Sequence, residues 1–330
     1  MRASDTLPMT DREVRDYFKS RSCDGKPGDR ATQADRLLRE IIADAESRKV
    51  PVKADGTAAQ RVGELTFDPL HSLFTNRTCA LHVPNFVSPA TCTALNKWIM
   101  SESQNMWKNT DMYYGLGLPV NSIHGPTANH CLRYFKQAIP AMRKIRETIK
   151  SLAPLDKLRL ELDEAWHAGA RVGTDNPYRR KMFVGLARVM RPEGLVGEAT
   201  ATEGLIHVDA PVFGDATQGV FSANVYLKMP PRGGELAVWN IALKQNAQSR
   251  RSAVIAALLA NAFSDGHREK VQSALRNILP SPIIIKPAAG DLVILNAGRP
   301  HAVRGFSKGL RITMQTFIAY REGQTLQLFS

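Results

Sequence analysis

The chain has 330 residues and a mass of 36.4 kDa, and 43% of its residues are hydrophobic, so it can bury a substantial core. No stretch approaches the roughly 18 uninterrupted apolar residues of a membrane-spanning helix, and we expect a cytoplasmic protein. The net charge of +13 would suit an acidic substrate or nucleic acid. The basic residues are spread along the chain, however, which makes a nucleic-acid partner the less favoured of the two.

The cysteines are Cys23, Cys79, Cys92 and Cys131, and they have irregular spacing without a CxxC pair. This pattern favours free thiols over a structural zinc site or a disulfide framework. Any metal site in this chain is therefore expected to use other side chains.

Residues 1–75 are predicted to form an N-terminal helical segment. Thr10-Asp11-Arg12-Glu13 is a Thr-x-x-Glu pattern, in which the two side chains satisfy each other's unpaired backbone N–H groups at a helix start. Between residues 32 and 48, apolar residues recur at helical spacing and predict a second helix. The Gly/Pro/Asp-rich residues 23–29 between the two helices are predicted to be a loop.

Residues 76–330 are predicted to form the main domain, which begins with a short apolar strand at 81–87. Ser88-Pro89 then favours a helix to about Met100, because serine caps a helix and proline suits its first turn. Another helix is predicted over about 132–152. It contains Pro140, which removes one backbone hydrogen-bond donor.

From about Met182 onward, apolar residues alternate with polar ones, which indicates strands. The candidates are residues 183–190, 205–209, 220–228, 235–239, 283–285, 291–295 and 310–320. Short strands separated by turns are typical of a jelly-roll barrel, so we expect an α+β fold around such a core. Residues 241–280 interrupt the series with two helix-compatible stretches. They are predicted to be a helical insertion on the barrel, with the barrel mouth as its candidate position.

Three side chains form a candidate metal site. His207 and Asp209 lie two residues apart on a predicted strand, so both face the same side. A partly exposed strand end explains this two-residue pattern at least as well as a metal site does. Further along the chain, an apolar strand runs into a Gly/Pro turn that presents His301. Two imidazoles and one carboxylate leave three coordination positions open, which suits iron(II) that must bind a bidentate acid and dioxygen.

A second pair, Arg311 and Thr313, shares one face of the last long strand, and Arg311 follows His301 by ten positions. Arginine holds a carboxylate through two parallel charge-assisted hydrogen bonds, and the threonine hydroxyl can add a third.

The ordered set His207-x-Asp209, His301 and Arg311-x-Thr313 resembles the 2-oxoglutarate/Fe(II)-dependent dioxygenase superfamily over roughly residues 180–320. The strand and helix at 81–100 also resemble the lead-in of its prolyl-hydroxylase-like and phytanoyl-hydroxylase-like branches. The family's usual Arg-x-Ser is Arg-x-Thr here, which keeps the hydroxyl.

The resemblance implies a double-stranded β-helix, a cupin-like jelly roll, that uses iron(II), 2-oxoglutarate as cosubstrate, and O2. His207, Asp209 and His301 would hold the iron, and Arg311 would hold the far carboxylate of 2-oxoglutarate. Such enzymes release succinate and carbon dioxide while they hydroxylate, desaturate or cyclise at an unactivated C–H bond. Asp209 favours these outcomes over halogenation, because halogenating members have Gly or Ala in its place.

Four further residues are candidates for the site. Asn224 and Tyr226 lie on the polar face of strand 220–228 and are candidates to hydrogen-bond 2-oxoglutarate, although a solvent-facing strand explains the same alternation. Arg188 is a candidate to hold an acidic substrate or, equally, to form a surface ion pair. Trp239 is a candidate wall of the pocket or a core residue.

The substrate is expected to be a small or carrier-linked molecule, amino-acid-like or otherwise carboxylate-bearing. One alternative is a hydroxylase or demethylase that acts on protein or nucleic acid, and the basic net charge is the only feature of the sequence that supports it. A nucleic-acid substrate would require aromatic residues that stack on bases beside a basic groove. Another is a non-catalytic cupin-like barrel that holds zinc or manganese. The Arg311-x-Thr313 pair speaks against the latter, because a metal site alone has no use for it.

Overall fold

The computed structural model describes the residues of twelve ranges: 8–21, 28–47, 53–102, 107–109, 113–116, 127–149, 151–174, 178–192, 204–209, 219–241, 250–262 and 266–330. Cys23 and residues 23–27 of the predicted loop lie outside these ranges, whereas residues 28 and 29 of that predicted loop already belong to a helix. Cys79, Cys92 and Cys131 are buried free thiols, as their spacing indicates.

The helices of the described residues are α1 (Asp11–Arg21), α2 (Gly28–Ser47), α3 (Phe67–Phe74), α4 (Pro89–Ser101), α5 (Ala128–Thr148), α6 (Pro154–Ala165), α7 (Arg250–Ala260) and α8 (Arg268–Ile278). Two of the starts follow from local sequence. The Thr10 backbone N–H and hydroxyl donate to the Glu13 carboxylate at 2.6 and 2.9 Å. The Ser88 hydroxyl accepts from the Thr91 N–H at 3.1 Å. Pro140 lies within α5. None of the helices in the described ranges combines the length and the apolar character that a membrane crossing requires.

The strands of the described residues are β1 (Ala58–Arg61), β2 (Thr78–Val83), β3 (Trp107–Asn109), β4 (Tyr113–Leu116), β5 (Ala170–Val172), β6 (Leu186–Met190), β7 (Gly219–Lys228), β8 (Leu236–Val238), β9 (Ile283–Ile285), β10 (Leu292–Asn296), β11 (His301–Val303), β12 (Arg311–Tyr320) and β13 (Leu326–Phe329). The larger sheet has the order β1-β2-β10-β7-β12-β6-β4-β3, with β13 beside β12 and β5 beside β13. The smaller sheet has the order β11-β8-β9. The result is the α+β architecture that the sequence predicts.

Two features of the strands differ from the sequence prediction. The predicted strand 205–209 is reduced to a single antiparallel bridge between His207 and His301. Six short strands were not predicted, because three or four residues carry too weak a signal: β1, β3, β4, β5, β11 and β13. The N-terminal segment 1–75 is also not wholly helical, since β1 pairs in parallel with β2 and so extends the larger sheet.

Buried apolar residues form three clusters. The largest packs α3 to α6 against the larger sheet. A second, the helical cluster, joins α2, α7 and α8 to the smaller sheet. The third, the interior cluster, contains residues of both sheets and consists of Cys79, Ala80, Tyr226, Leu236, Val238, Ile285, Val293 and Leu295. The two sheets therefore pack against each other, as in a jelly roll.

Candidate metal and anion centre

The structure brings the side chains of His207, Asp209 and His301 together. Their ligand atoms all lie within 4.8 Å of one another. Two backbone hydrogen bonds of 3.0 and 2.9 Å join His207 to His301, and the Asp209 N–H donates to the Ala297 carbonyl at 3.0 Å. Strand-like pairing therefore sets the two imidazole rings side by side, with centroids 4.3 Å apart.

Both histidines are oriented to offer Nε2. His207 Nδ1 lies 2.9 Å from the Leu205 carbonyl oxygen, and His301 Nδ1 lies 2.9 Å from the Arg299 carbonyl oxygen. Because a carbonyl can only accept, each Nδ1 must carry the hydrogen, which leaves the Nε2 lone pair for a metal. His301 Nε2 is 3.5 Å from Asp209 Oδ2, so nitrogen and oxygen donors converge.

The charge states of His207 and Asp209 also suit a metal. Burial and the neighbouring charge of His301 lower the pKa of His207 to about 4. Burial alone would raise the pKa of Asp209, but the contact and charge of His301, together with His207, outweigh it and lower that pKa to about 2. At neutral pH the centre therefore offers a neutral His207 imidazole and an ionised Asp209 carboxylate.

A second feature is the buried guanidinium of Arg311, which is 4% exposed. Its Nε donates to the Gly234 carbonyl at 3.2 Å, Nη1 lies 3.6 Å from the Met190 sulfur, and the Tyr226 ring lies 4.9 Å from Cζ. No carboxylate of the described residues lies within 4.0 Å of it. Burial lowers the pKa of Arg311, because it disfavours the charged form.

The two hydroxyls beside Arg311 are unsatisfied. Tyr226 Oη and Thr313 Oγ1 are buried, and neither hydroxyl has an acceptor for its hydrogen among the described residues. The Arg311 guanidinium lies close enough to Tyr226 to oppose the rise that burial causes in the pKa of that hydroxyl. A buried polar group without a partner costs about 1–3 kcal/mol, and a buried unpaired charge costs more. A cation and two orphaned hydroxyl donors in one place fit an anion with several acceptor oxygens, such as a carboxylate.

The polar face of β7 turns into the protein. Ser222 is 2% exposed and Tyr226 is fully buried, so the solvent-facing explanation of this alternation is wrong for both. The side-chain amides of Asn224 and Gln315 donate to the Ser222 hydroxyl at 3.1 and 2.8 Å. Gln315 Oε1 is buried without a partner among the described residues. The sequence places Ser222 on this polar face without assigning it a role. Gln315 was not predicted, although it continues the alternation that begins at Arg311 and Thr313.

Arg311, Thr313 and Tyr226 together form what we call the anion pocket. Arg188 lies on the same side of the sheet as this pocket. It is opposite Thr313 in the pairing of β6 with β12, just as Met190 is opposite Arg311, and cross-strand partners share a face. Arg188 is half-buried, and its positive charge helps to lower the pKa values of His207, Asp209 and Arg311. The structure therefore places Arg188 on the face that carries Arg311 and Thr313, which is compatible with the first of its two sequence-based alternatives, a contact with an acidic substrate.

Trp239 has a different environment. It is 6% exposed and packs in the helical cluster, and its backbone N–H donates to the Pro300 carbonyl at 2.9 Å. Its side chain is therefore a core residue, one of the two positions expected from the sequence.

The helical insertion supports the metal site from outside the sheets. Gln272 of α8 is fully buried; its Oε1 accepts from the Ile206 N–H at 2.7 Å and its Nε2 donates to the Ile206 carbonyl at 2.9 Å. Arg276 donates to the Gly204 carbonyl at 2.5 Å. Side chains of α8 thus satisfy the backbone next to His207, where the predicted strand lacks a full sheet partner. No pattern in the sequence indicates this contact.

Comparison with known proteins gives matches among solved structures, whereas no protein-family model and no curated protein matches the sequence. An N-substituted L-amino acid dioxygenase from Burkholderia ambifaria AMMD is 15% identical, covers 79% of this chain and 90% of its own, and has a TM-score of 0.50. A structure of such a dioxygenase from this organism in complex with alpha-KG is 16% identical, with the same coverage and a TM-score of 0.48. A Pseudomonas putida prolyl-4-hydroxylase is 14% identical over 77% of this chain and 100% of its own, with a TM-score of 0.34.

The first of these similarities identifies the fold. The chain shares with that structure a jelly-roll core with helices packed around it, so the predicted fold class is confirmed.

Proposed function

We propose that the chain is an iron(II)- and 2-oxoglutarate-dependent oxygenase that oxidises an unactivated C–H bond of a small carboxylate-bearing molecule. The observation that carries the proposal is the buried Arg311, with its orphaned hydroxyl neighbours, in the same jelly roll as the His/Asp/His group. A barrel that only binds a metal has no use for such a pocket. A cosubstrate with a carboxylate at its far end would satisfy it.

The donor set fits the implied metal. Two imidazole nitrogens and one carboxylate oxygen form the facial set used by non-haem iron(II) oxygenases, and they leave adjacent positions open. His207 and His301 would bind through Nε2, since the Leu205 and Arg299 carbonyls hold both Nδ1 hydrogens. With 2-oxoglutarate and O2, iron(II) would supply the oxidation that releases succinate and carbon dioxide and functionalises the substrate.

The anion pocket would bind and orient 2-oxoglutarate. Arg311 would bind its far carboxylate, and the Thr313 and Tyr226 hydroxyls would donate to the same group. Asn224, two positions before Tyr226 on the same face, is proposed to donate to the cosubstrate as well. Tyr226 packs in the interior cluster, so apolar side chains border the pocket on its side, and excluding water there would strengthen these contacts.

Arg188 is proposed to bind an acidic group of the substrate. It shares the inner face with Thr313 yet keeps part of its surface exposed, so an incoming molecule can reach it. Its charge opposes that of Arg311, and a second anion beside the cosubstrate would relieve this repulsion. The N-substituted L-amino acid dioxygenase whose structure is similar acts, according to its name, on molecules that carry a carboxylate.

The test of the proposed reaction is succinate release. The protein is incubated with iron(II), 2-oxoglutarate and air, with a panel of amino acids, N-substituted amino acids, acyl-carrier substrates and oligonucleotides. We expect a carboxylate-bearing small molecule to stimulate succinate release, and Asp209→Ala to abolish it. The control Asp16→Ala, at an exposed acid on α1, should keep full activity. Undiminished activity in Asp209→Ala would contradict the proposed iron site.

The same assay tests Arg188. Arg188→Gln should raise the KM for the acidic substrate while the KM for 2-oxoglutarate stays near its original value. A carboxamide analogue of the substrate should be a poor substrate for the original protein, and the substitution should change its KM little. An equal effect on acid and carboxamide would show that Arg188 does not bind the substrate carboxylate.

A further inference from the structure

The turn between β10 and β11, residues 297–300, contacts two of the three proposed iron ligands. The Ala297 carbonyl accepts from the Asp209 N–H at 3.0 Å, and the Arg299 carbonyl accepts from His301 Nδ1 at 2.9 Å. The position of this turn therefore determines both where Asp209 lies and how the His301 ring is rotated.

Arg299 anchors the turn through an ion pair in which the arginine is buried and the partner aspartate is partly exposed. Its side chain is 2% exposed, and Nη1 lies 2.6 Å from Oδ2 of Asp55, which is 244 positions away in the N-terminal segment. The other carboxylate oxygen of Asp55 accepts from the Thr57 N–H and hydroxyl at 3.0 and 2.7 Å. Both oxygens of Asp55 are therefore fixed, and they fix the guanidinium in turn.

The backbone on either side of the ion pair is also held. The Asp55 N–H donates to the Asn240 carbonyl at 2.8 Å, and the Asn240 side chain donates to the Thr57 carbonyl at 3.0 Å. The Arg299 N–H donates to the Asn296 carbonyl at 3.1 Å. Hydrogen bonds to Asn240 therefore hold the backbone around Asp55 in place. Because Asp55 is held in place, its ion pair with Arg299 opposes movement of the Arg299 side chain relative to the sheets.

We propose that Asp55 and Arg299 are positioning residues for the iron site: Asp55 fixes the Arg299 side chain, and the Arg299 carbonyl then holds His301 with Nε2 directed at the metal. The inference rests on the proposed function, because it assigns His301 as an iron ligand. Groups that orient metal ligands contribute roughly 10–100-fold to metal affinity. The N-terminal segment would therefore help to orient the proposed iron ligands.

The test measures cobalt(II) affinity from the visible absorption of bound cobalt(II). Asp55→Asn keeps the size and one acceptor oxygen but removes the charge, and we expect it to weaken cobalt(II) binding by about 10–100-fold. The matched control is Asp11→Asn, which breaks another N-terminal aspartate–arginine pair, with Arg180 at 2.7 Å, far along the chain from the ligands. Its cobalt(II) affinity should equal that of the original protein.

A double variant separates positioning from folding. Asp55→Asn with Arg299→Met removes both charges, so no unpaired buried charge remains to destabilise the fold. Cobalt(II) affinity should still be lowered about 10-fold or more, whether or not Asp55→Asn alone folds. Unchanged affinity in the folded double variant, or an equal loss in Asp11→Asn, would overturn the inference. If the original protein itself does not bind cobalt(II), the proposed metal site fails, which is a distinct result.

Discussion

At the scale of single residues, the dominant feature is the Arg311 guanidinium. It is buried, its acceptors among the described residues are a carbonyl and a thioether, and it lies next to two hydroxyls without partners there. Folding alone does not favour this arrangement, because each of these groups loses water without gaining a strong partner. The arrangement would become favourable if an anion bound, so in the proposed function the pocket lowers the stability of the free protein and favours binding of the cosubstrate.

The cost of the buried, unpaired Arg311 charge to the stability of the free protein predicts how Arg311→Met will behave. Without cosubstrate, we expect its unfolding temperature to equal or exceed that of the original protein, because an unpaired buried charge is removed. With metal and 2-oxoglutarate at about 100 times its Kd, the original protein should gain about 2.7 kcal/mol, whereas Arg311→Met should gain almost nothing. Thermal unfolding with and without 2-oxoglutarate measures both effects.

The control for Arg311→Met is Arg146→Met, which removes an arginine that pairs with Asp156 at 2.6 and 2.8 Å. This variant should lose some stability yet keep the full stabilisation by 2-oxoglutarate. An equal stabilisation of Arg311→Met by 2-oxoglutarate would contradict the assigned pocket.

Residue-scale prediction from sequence works where spacing and chemistry coincide. The two-residue period of a strand is enough to place Arg311 with Thr313, and Asn224 with Tyr226. It does not reveal which face is buried, and an amide such as Gln315 has no signature of its own. The Asp55–Arg299 pair joins residues 244 positions apart, so no local pattern can indicate it.

At the scale of elements, residues 204–209 show how a helix substitutes for a strand. The bridge to His301 pairs His207 alone, and Gln272 of α8 supplies both a donor and an acceptor to Ile206 in place of a neighbouring strand. The helical insertion packs through the helical cluster on the outer side of this segment, together with α2.

Gln272→Leu tests whether α8 takes the place of a neighbouring strand beside Ile206. Leucine has a similar size but leaves the buried N–H and carbonyl of Ile206 unpaired, at a cost of about 1–3 kcal/mol each. We expect a lower free energy of unfolding in urea and a weaker affinity for cobalt(II), because His207 adjoins the freed segment. Asn277→Leu, an exposed position on the same helix, should change neither quantity. If Gln272→Leu matched this control, α8 would have no part in holding the segment.

Elements with strong local signals are predictable and weakly marked ones are not. Ser88 and Pro89 define the start of α4, and the apolar alternation of β7 and β12 defines two central strands. By contrast, β3 and β4 lie in a stretch whose sequence has no regular period. Such short strands form because a neighbouring strand offers hydrogen bonds, and pairing of this kind depends on the tertiary fold.

At the scale of the whole molecule, the N-terminal segment and the jelly roll are joined at several places. Strand β1 extends the larger sheet, α2 contributes to the helical cluster, and Asp55 reaches the turn before His301. The sequence predicts the jelly roll and its order of ligands, but it treats residues 1–75 as a separate helical segment. Three contacts join that segment to the jelly roll, and one of them, through Asp55, reaches the turn beside the candidate metal site.

The most direct test of the oxygenase proposal is anaerobic titration of the protein with iron(II) and then 2-oxoglutarate. Chelation of iron(II) by 2-oxoglutarate in a His/Asp/His site gives a weak visible charge-transfer band. We expect this band only when both are present, its loss in Asp209→Ala, and a higher 2-oxoglutarate requirement in Arg311→Met. Absence of the band from the original protein at saturating iron(II) and 2-oxoglutarate would contradict the proposed function.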